Sequence, residues 1–95
     1  MAHENDTIIA VLELSKSGAA KFGRLSAITN LSVTALVLEG TNLLEKCIGQ
    51  LRLGRSIASL PYNGEIVVAS VDSDGNVIEV LFSLQMLEAA KAKYT

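Results

Sequence analysis

The chain has 95 residues, a formal net charge of −2 and 49% hydrophobic residues. This length predicts a single domain, residues 1–95, which hides only about 60–65% of the surface that the unfolded chain exposes. So much apolar sequence in so small a domain favours a partner subunit that covers part of it. The acidic balance argues against general nucleic-acid binding, although it leaves room for a local site.

Cysteine content and the N-terminal sequence indicate the compartment. Cys47 is the single cysteine, so no internal disulfide can form and a reducing compartment is expected. The opening MAHENDT has no Lys or Arg and does not resemble a signal peptide. No run approaches the roughly 18 apolar residues of a membrane span, so we expect a cytoplasmic protein without a membrane partner.

The first half of the chain predicts a strand and two helices. Residues 7–14 (TIIAVLEL) are β-branched and apolar, which is typical of a strand. Ser15 can cap a helix over 16–29, and Asn30 can end it. Ser32 can then cap a longer helix, 33–53, which Gly54 terminates.

The longer helix carries an apolar stripe at helical spacing. Its members are Leu36, Val37, Gly40, Leu43, Leu44, Cys47, Ile48 and Leu51. We expect this stripe to be buried, and the Cys47 thiol to behave as a small, unreactive apolar group.

The second half predicts a strand, a hairpin and a last helix. Residues 56–60 favour a short strand and 61–64 a turn. The runs 65–71 and 77–82, joined by DSDGN, predict a hairpin that is apolar on both faces and must be covered on both. Ser83 can cap a helix over 84–94. The predicted class is α+β, in the order β-α-α-β-β-α when the short strand at 56–60 is not counted.

Residues 7–54 resemble the ribbon-helix-helix family in the spacing of their motifs. The family's strand ends in Leu-x-Leu before Ser, and Leu12, Leu14 and Ser15 match this pattern. Its first helix then carries three apolar positions. Phe22 and Leu25 match the second and third of them, whereas Gly18 departs from the first. The stop, apolar residue and cap between the helices are matched by Asn30-Leu31-Ser32. Gly40 stands where the family's second helix has a small residue.

The resemblance implies a homodimer that binds DNA, as a transcriptional regulator or an antitoxin-type autoregulator. The implied dimer interface is Leu12, Leu36, Gly40, Leu43, Leu44 and Cys47. In this family paired N-terminal strands read the major groove, which gives an outer face of Thr7, Ile9, Val11 and Glu13. The start of the second helix, Ser32, Val33 and Thr34, would hold a phosphate.

The chemistry of that outer face favours a different partner. Ile9 and Val11 offer no hydrogen bonds to base edges, and Glu13 would be repelled by phosphates. The alternative is a dimeric interaction or scaffolding module that does not bind DNA and whose apolar ribbon face contacts another protein or is covered by the hairpin at 65–82.

No residue pattern predicts an enzyme, a metal site or a cofactor. His3 is the only histidine, and no cluster of His, Cys and carboxylates has metal-ligand spacing. The run from Gly49 to Ser56 reads G-x-x-x-x-G-R-S and lacks the lysine of a phosphate-binding loop. Asp72 and Asp74 are typical of a hairpin turn rather than of a calcium loop.

Overall fold

The computed structural model describes residues 9 and 11–94 of the chain. These residues form three helices and a three-stranded antiparallel sheet, so the predicted α+β class is confirmed. The elements in chain order are α1 (Lys16–Thr29), α2 (Val33–Arg52), β1 (Ser56–Tyr62), β2 (Glu65–Val71), β3 (Val77–Phe82) and α3 (Leu84–Lys93).

The predicted strand at 7–14 is wrong for the residues described there. Ile9 and residues 11–14 belong to no strand, so the described chain begins helix-helix and not β-α-α. A β-branched sequence supplies only a preference for extended backbone, and a stable strand also needs neighbouring strands and a face to pack on. The strands of the sheet all come from 56–82 and pair with one another. Thr7 lies outside the described residues.

Short polar side chains set the ends of α1 and α2, as the sequence predicts. Ser15 Oγ accepts a hydrogen bond from the backbone N–H of Gly18 at 3.1 Å. Ser32 Oγ accepts one from the N–H of Ala35, also at 3.1 Å. Between the helices Asn30 adopts the left-handed conformation, with φ 59°, which Asn tolerates better than most residues. The chain therefore leaves α1 and enters α2 within three residues.

The sheet has the order β1-β2-β3 and is built from two hairpins. β1 runs two residues further than predicted, to Tyr62, because Asn63 and Gly64 alone form the turn. Both have positive φ, 52° and 86°, as a two-residue type I′ turn requires. In the loop after β2, Asp72 Oδ1 accepts the N–H groups of residues 74 and 76, each at 2.9 Å.

α2 lies against the sheet and contacts both outer strands. In the central strand β2, the successive residues Ala69, Ser70 and Val71 are all buried. Because successive strand residues point to opposite faces, both faces of the sheet are covered here, as the apolar hairpin sequence predicts. The buried Ser70 hydroxyl donates to the carbonyl of Glu79 at 3.5 Å. The core is completed by Leu31, Ala35, Val67, Leu81 and Ala90.

Candidate interaction groove

An apolar groove of about 610 Å³ opens on the surface between α1, α2 and the β3–α3 segment. We call it the α2 groove. α2 contributes the longest part of its lining, α1 contributes one side, and the end of β3 with α3 contributes another. Its apolar lining is Phe22, Leu25, Leu31, Leu36, Val37, Gly40, Leu43, Leu44, Leu81, Phe82, Met86, Leu87 and Ala90.

Hydrogen bonds at the elbow between the helices hold α1 as one wall of the groove. The two helix axes differ by 92°. Thr29 Oγ1 donates to the carbonyl of Leu25 at 2.6 Å and accepts from the N–H of Leu31 at 3.2 Å. Ser26 Oγ donates to the carbonyl of Leu31 at 2.7 Å. These bonds satisfy the polar groups where the backbone leaves the helix, so the elbow has a defined angle.

A single carboxylate ties α3 to α2 on the other side. The Tyr94 hydroxyl donates to Oε2 of Glu39 at 2.8 Å, and Lys93 Nζ lies 3.6 Å from the same oxygen. Lys93 Nζ also lies 5.2 Å from the centre of the Tyr94 ring. The hydrogen bond to Glu39 raises the pKa of Tyr94 above its usual 10.0, because ionisation of the phenol would break that bond beside a negative charge.

The expectation that the α2 stripe is buried is wrong for much of its length. Ala35 and Gln50 are the buried residues of α2, whereas Cys47 is half-buried. Leu44 is 61% exposed and Leu51 57% exposed. The sheet has only three strands and covers one side of a helix of 20 residues, so part of its wide apolar stripe has no cover within the chain.

The structure brings together four of the six residues predicted for a dimer interface. Leu36, Gly40, Leu43 and Leu44 line the α2 groove. Cys47 lies one turn further along α2 and does not line it, and Leu12 lies before α1 and is 52% exposed. The wall formed by Leu81, Phe82, Met86 and Leu87 was not predicted, because nothing local in the sequence indicates that α3 folds back beside α2.

The residues predicted for a ribbon face are exposed where they are described. Ile9 is 90% exposed and Val11 88% exposed, and Glu13 is also exposed. The hairpin of β2 and β3 therefore does not cover Ile9 and Val11, which corrects one of the two alternatives for this face. Thr7 lies outside the described residues.

The predicted phosphate contacts lie at the start of α2. The Ser32 side chain is engaged as the helix cap, and Val33 and Thr34 are exposed. α1 carries Lys16 and two further cations, Lys21 and Arg24, and has no acidic residue. All three cations are exposed, so α1 presents positive charge in a chain whose net charge is −2.

Within residues 9 and 11–94, no three His, Cys, Asp or Glu side chains are grouped so that they could hold a metal ion. None of the described helices is by itself long and apolar enough to cross a membrane, although α1 and α2 taken together as a bent pair meet the length and composition.

Comparison with known proteins adds no relative. No protein-family model matches the chain, and neither a curated protein nor a solved structure matches it. The ribbon-helix-helix resemblance therefore rests on the quoted residues alone.

Proposed function

We propose that this protein is a homodimeric protein-interaction module whose two copies associate through the α2 groove. The observation that carries the proposal is the groove itself, because it is large, apolar and open to solvent. Contiguous apolar surface of this kind on a small protein marks an interaction site. A second copy is the occupant we favour, because apolar side chains of the groove are exposed in the single chain and because they are arranged symmetrically along α2.

A single copy leaves large apolar side chains of the groove in water. Leu25 is 43% exposed and Leu44 is 61% exposed, and both line the α2 groove. A second copy seated in the groove removes such side chains from water, as the apolar core of a dimer interface does.

The apolar residues around Gly40 are arranged symmetrically along α2. Leu36 and Leu44 lie four residues on either side of it, and Val37 and Leu43 lie three. When two copies of α2 cross antiparallel at Gly40, each of these residues faces its apolar counterpart. A two-fold interface requires such a self-complementary surface. The missing side chain at Gly40 lets the two backbones approach closely.

The charges of α2 are compatible with this crossing. With Gly40 at the centre, Glu39 faces Thr41 of the second copy and Lys46 faces Thr34. No like charges are opposed in this register, so the apolar contacts carry no repulsion across the interface.

The experiment compares Gly40→Leu with Gly49→Leu by sedimentation equilibrium of the whole chain. Gly49 lies on the opposite side of α2, and a Cβ at either glycine meets no atom within 4 Å in the single chain. Leucine also favours a helix over glycine by up to about 1 kcal/mol, so both variants should fold. We expect Gly40→Leu to be monomeric and Gly49→Leu to remain a dimer.

A second pair of variants guards against aggregation. Leu44→Gln removes an apolar side chain from the groove, whereas Leu51→Gln removes a similarly exposed one outside it. Only Leu44→Gln should weaken the dimer. A wild-type chain that is monomeric at every concentration, or groove variants that dimerise as well as their controls, would refute the proposal.

We propose that the exposed residues before α1 contact another protein, in addition to the two copies of this chain. Ile9 and Val11 lie outside the α2 groove, so they stay accessible when the groove is filled. Exposed apolar side chains outside the helices and the sheet suit contact with another protein. This gives the dimer two identical arms, which is the arrangement of a scaffolding module.

The second candidate function is a DNA-binding regulator of ribbon-helix-helix type, including an antitoxin-type autoregulator. The observation that favours it is the charge of α1, with Lys16, Lys21 and Arg24 and no acidic residue. These cations and the exposed start of α2 could contact phosphates. Ile9, Val11 and Glu13 argue against it, because they offer no donors to base edges.

Fluorescence anisotropy of a labelled mixed-sequence duplex tests this candidate. For a DNA-binding protein, affinity should fall steeply with salt, and the double variant Lys21→Gln/Arg24→Gln should reduce the slope of log affinity against log salt by about 2. No binding to this duplex at low salt, combined with no loss of dimer in that variant, would leave the interaction module as the function.

A further inference from the structure

α3 forms one wall of the α2 groove, and few of its side chains are buried against the rest of the chain. Among the described residues of α3, Ala90 alone is buried, and Leu84 at its start is 68% exposed. The helix has 10 residues, and isolated helices shorter than about 12–15 residues are marginal in water. Its position therefore depends on contacts with the rest of the chain.

The contact that fixes the end of α3 is made by Glu39. This residue belongs to α2 and itself lines the groove. One of its carboxylate oxygens accepts the hydroxyl of Tyr94 at 2.8 Å and lies 3.6 Å from Lys93 Nζ. We call these three residues the Glu39 latch. A hydrogen bond to a charged acceptor is stronger than one between neutral groups, so this contact holds the last turn of α3 beside α2.

We infer that the Glu39 latch couples the docking of α3 to the binding of the second copy in the α2 groove. The inference rests on the homodimer proposed above. A second copy can contact Met86 and Leu87 only while α3 is docked, because these side chains then line the groove. The occupant therefore binds the docked state more tightly than the undocked state, and this difference is the condition for coupling.

Such coupling acts in both directions. If the latch favours docking of α3 and docking favours the dimer, then dimer formation must favour docking by the same factor. The latch thus makes Glu39 a positioning residue for the interface. The chain also contains a matched contact that should not take part. Lys91 and Glu88 form an ion pair of 3.0 Å within α3, which does not reach α2.

The test uses the full chain with Tyr94→Phe and Glu39→Gln, and with Glu88→Gln as the control. Sedimentation equilibrium gives the dimer dissociation constant, and hydrogen exchange of residues 84–94 reports whether α3 is docked. We expect Tyr94→Phe and Glu39→Gln to weaken the dimer about threefold or more. In both variants, the amide hydrogens of α3 should exchange faster than in the wild type when the chain is dilute. This difference in exchange rate between variant and wild type should shrink when the chains dimerise.

The outcomes separate the latch from the dimer. If the wild type dimerises and Tyr94→Phe accelerates exchange in α3 without changing the dissociation constant, the coupling is wrong and the homodimer stands. Equal effects of Glu88→Gln and Tyr94→Phe would also overturn the coupling, because the loss would then reflect α3 stability in general. A wild type that never dimerises removes the proposed function and this inference with it.

Discussion

The hydroxyl of Tyr94 donates a hydrogen bond of 2.8 Å to Glu39, which lies 55 residues earlier in the chain. This bond connects the last helix to the second, and it changes how the phenol ionises. The pKa of Tyr94 is raised above its usual 10.0, first by the hydrogen bond to Glu39 and then by desolvation and the nearby negative charge. Titration of the phenol therefore reports whether α3 is docked.

The first prediction is a pH dependence of α3 docking. Because the folded-state pKa of Tyr94 is raised, its contribution to stability is fully present below the unfolded pKa of 10.0 and is lost as the pH rises through the folded pKa. Ultraviolet absorbance should show a tyrosine that ionises late, and Tyr94→Phe should lack it. Loss of the late component in Glu39→Gln would identify the cause, whereas an unchanged titration would contradict the latch.

The second prediction concerns the elbow between α1 and α2. Thr29 is 8% exposed, and its hydroxyl accepts the N–H of Leu31 at 3.2 Å. Thr29→Val keeps the shape of the side chain but leaves that N–H without its acceptor, which should lower the free energy of unfolding by about 1–3 kcal/mol. Urea unfolding measures the loss. Thr34→Val, at an exposed position of α2, is the matched control and should change little.

The third prediction concerns the core beside the groove. Leu81 is 1% exposed, so Leu81→Ala should lower the free energy of unfolding by about 2–5 kcal/mol through lost contacts and the cavity left behind. Ile66→Ala, on the same sheet at a position 61% exposed, should cost less than about 1 kcal/mol. Thermal unfolding monitored by circular dichroism compares the two. Similar losses in both variants would mean that Leu81 does not belong to the core.

The fourth prediction concerns the β2–β3 hairpin in acid. The backbone N–H of Asn76 is the largest of the contacts that lower the pKa of Asp72 below its usual 3.8. The stabilisation by this carboxylate is therefore present above the unfolded pKa and is lost as the pH falls through the folded one. Asp72→Ala should loosen the hairpin at neutral pH and remove this part of the acid dependence. Asp74→Ala is the control, and amide chemical shifts of 72–76 provide the measurement.

Local features of the sequence predicted most of the element boundaries. The caps at Ser15 and Ser32 and the stop at Asn30 act through residues within four positions of each other. The turn predicted at 61–64 is also local, although the structure confines it to Asn63 and Gly64. Local hydrogen bonds and left-handed conformations are properties of short segments, so they can be read without the fold. For the same reason the sequence placed α1 at its observed bounds.

The prediction of a strand at 7–14 is wrong for the described residues of that segment. A strand needs a neighbouring strand to pair with, and the local sequence does not show whether one is present. Propensity makes TIIAVLEL suitable for a sheet, but a strand is completed by another strand. For the α2 stripe, the helix was predicted correctly from the spacing, but the burial was not. Burial requires a surface broad enough to cover the stripe, and the three-stranded sheet covers only part of it.

The sequence by itself determined the helices, the β2–β3 hairpin and the apolar face of α2, because each depends on neighbours along the chain. The tertiary structure decided that Leu81, Met86 and Leu87 stand beside α2 and that Glu39 receives Tyr94. These contacts join segments that are distant in the sequence, 55 residues apart for Glu39 and Tyr94, and their formation depends on how the sheet and α3 fold back on α2. The groove exists only because that packing covers one side of α2 and leaves the other open.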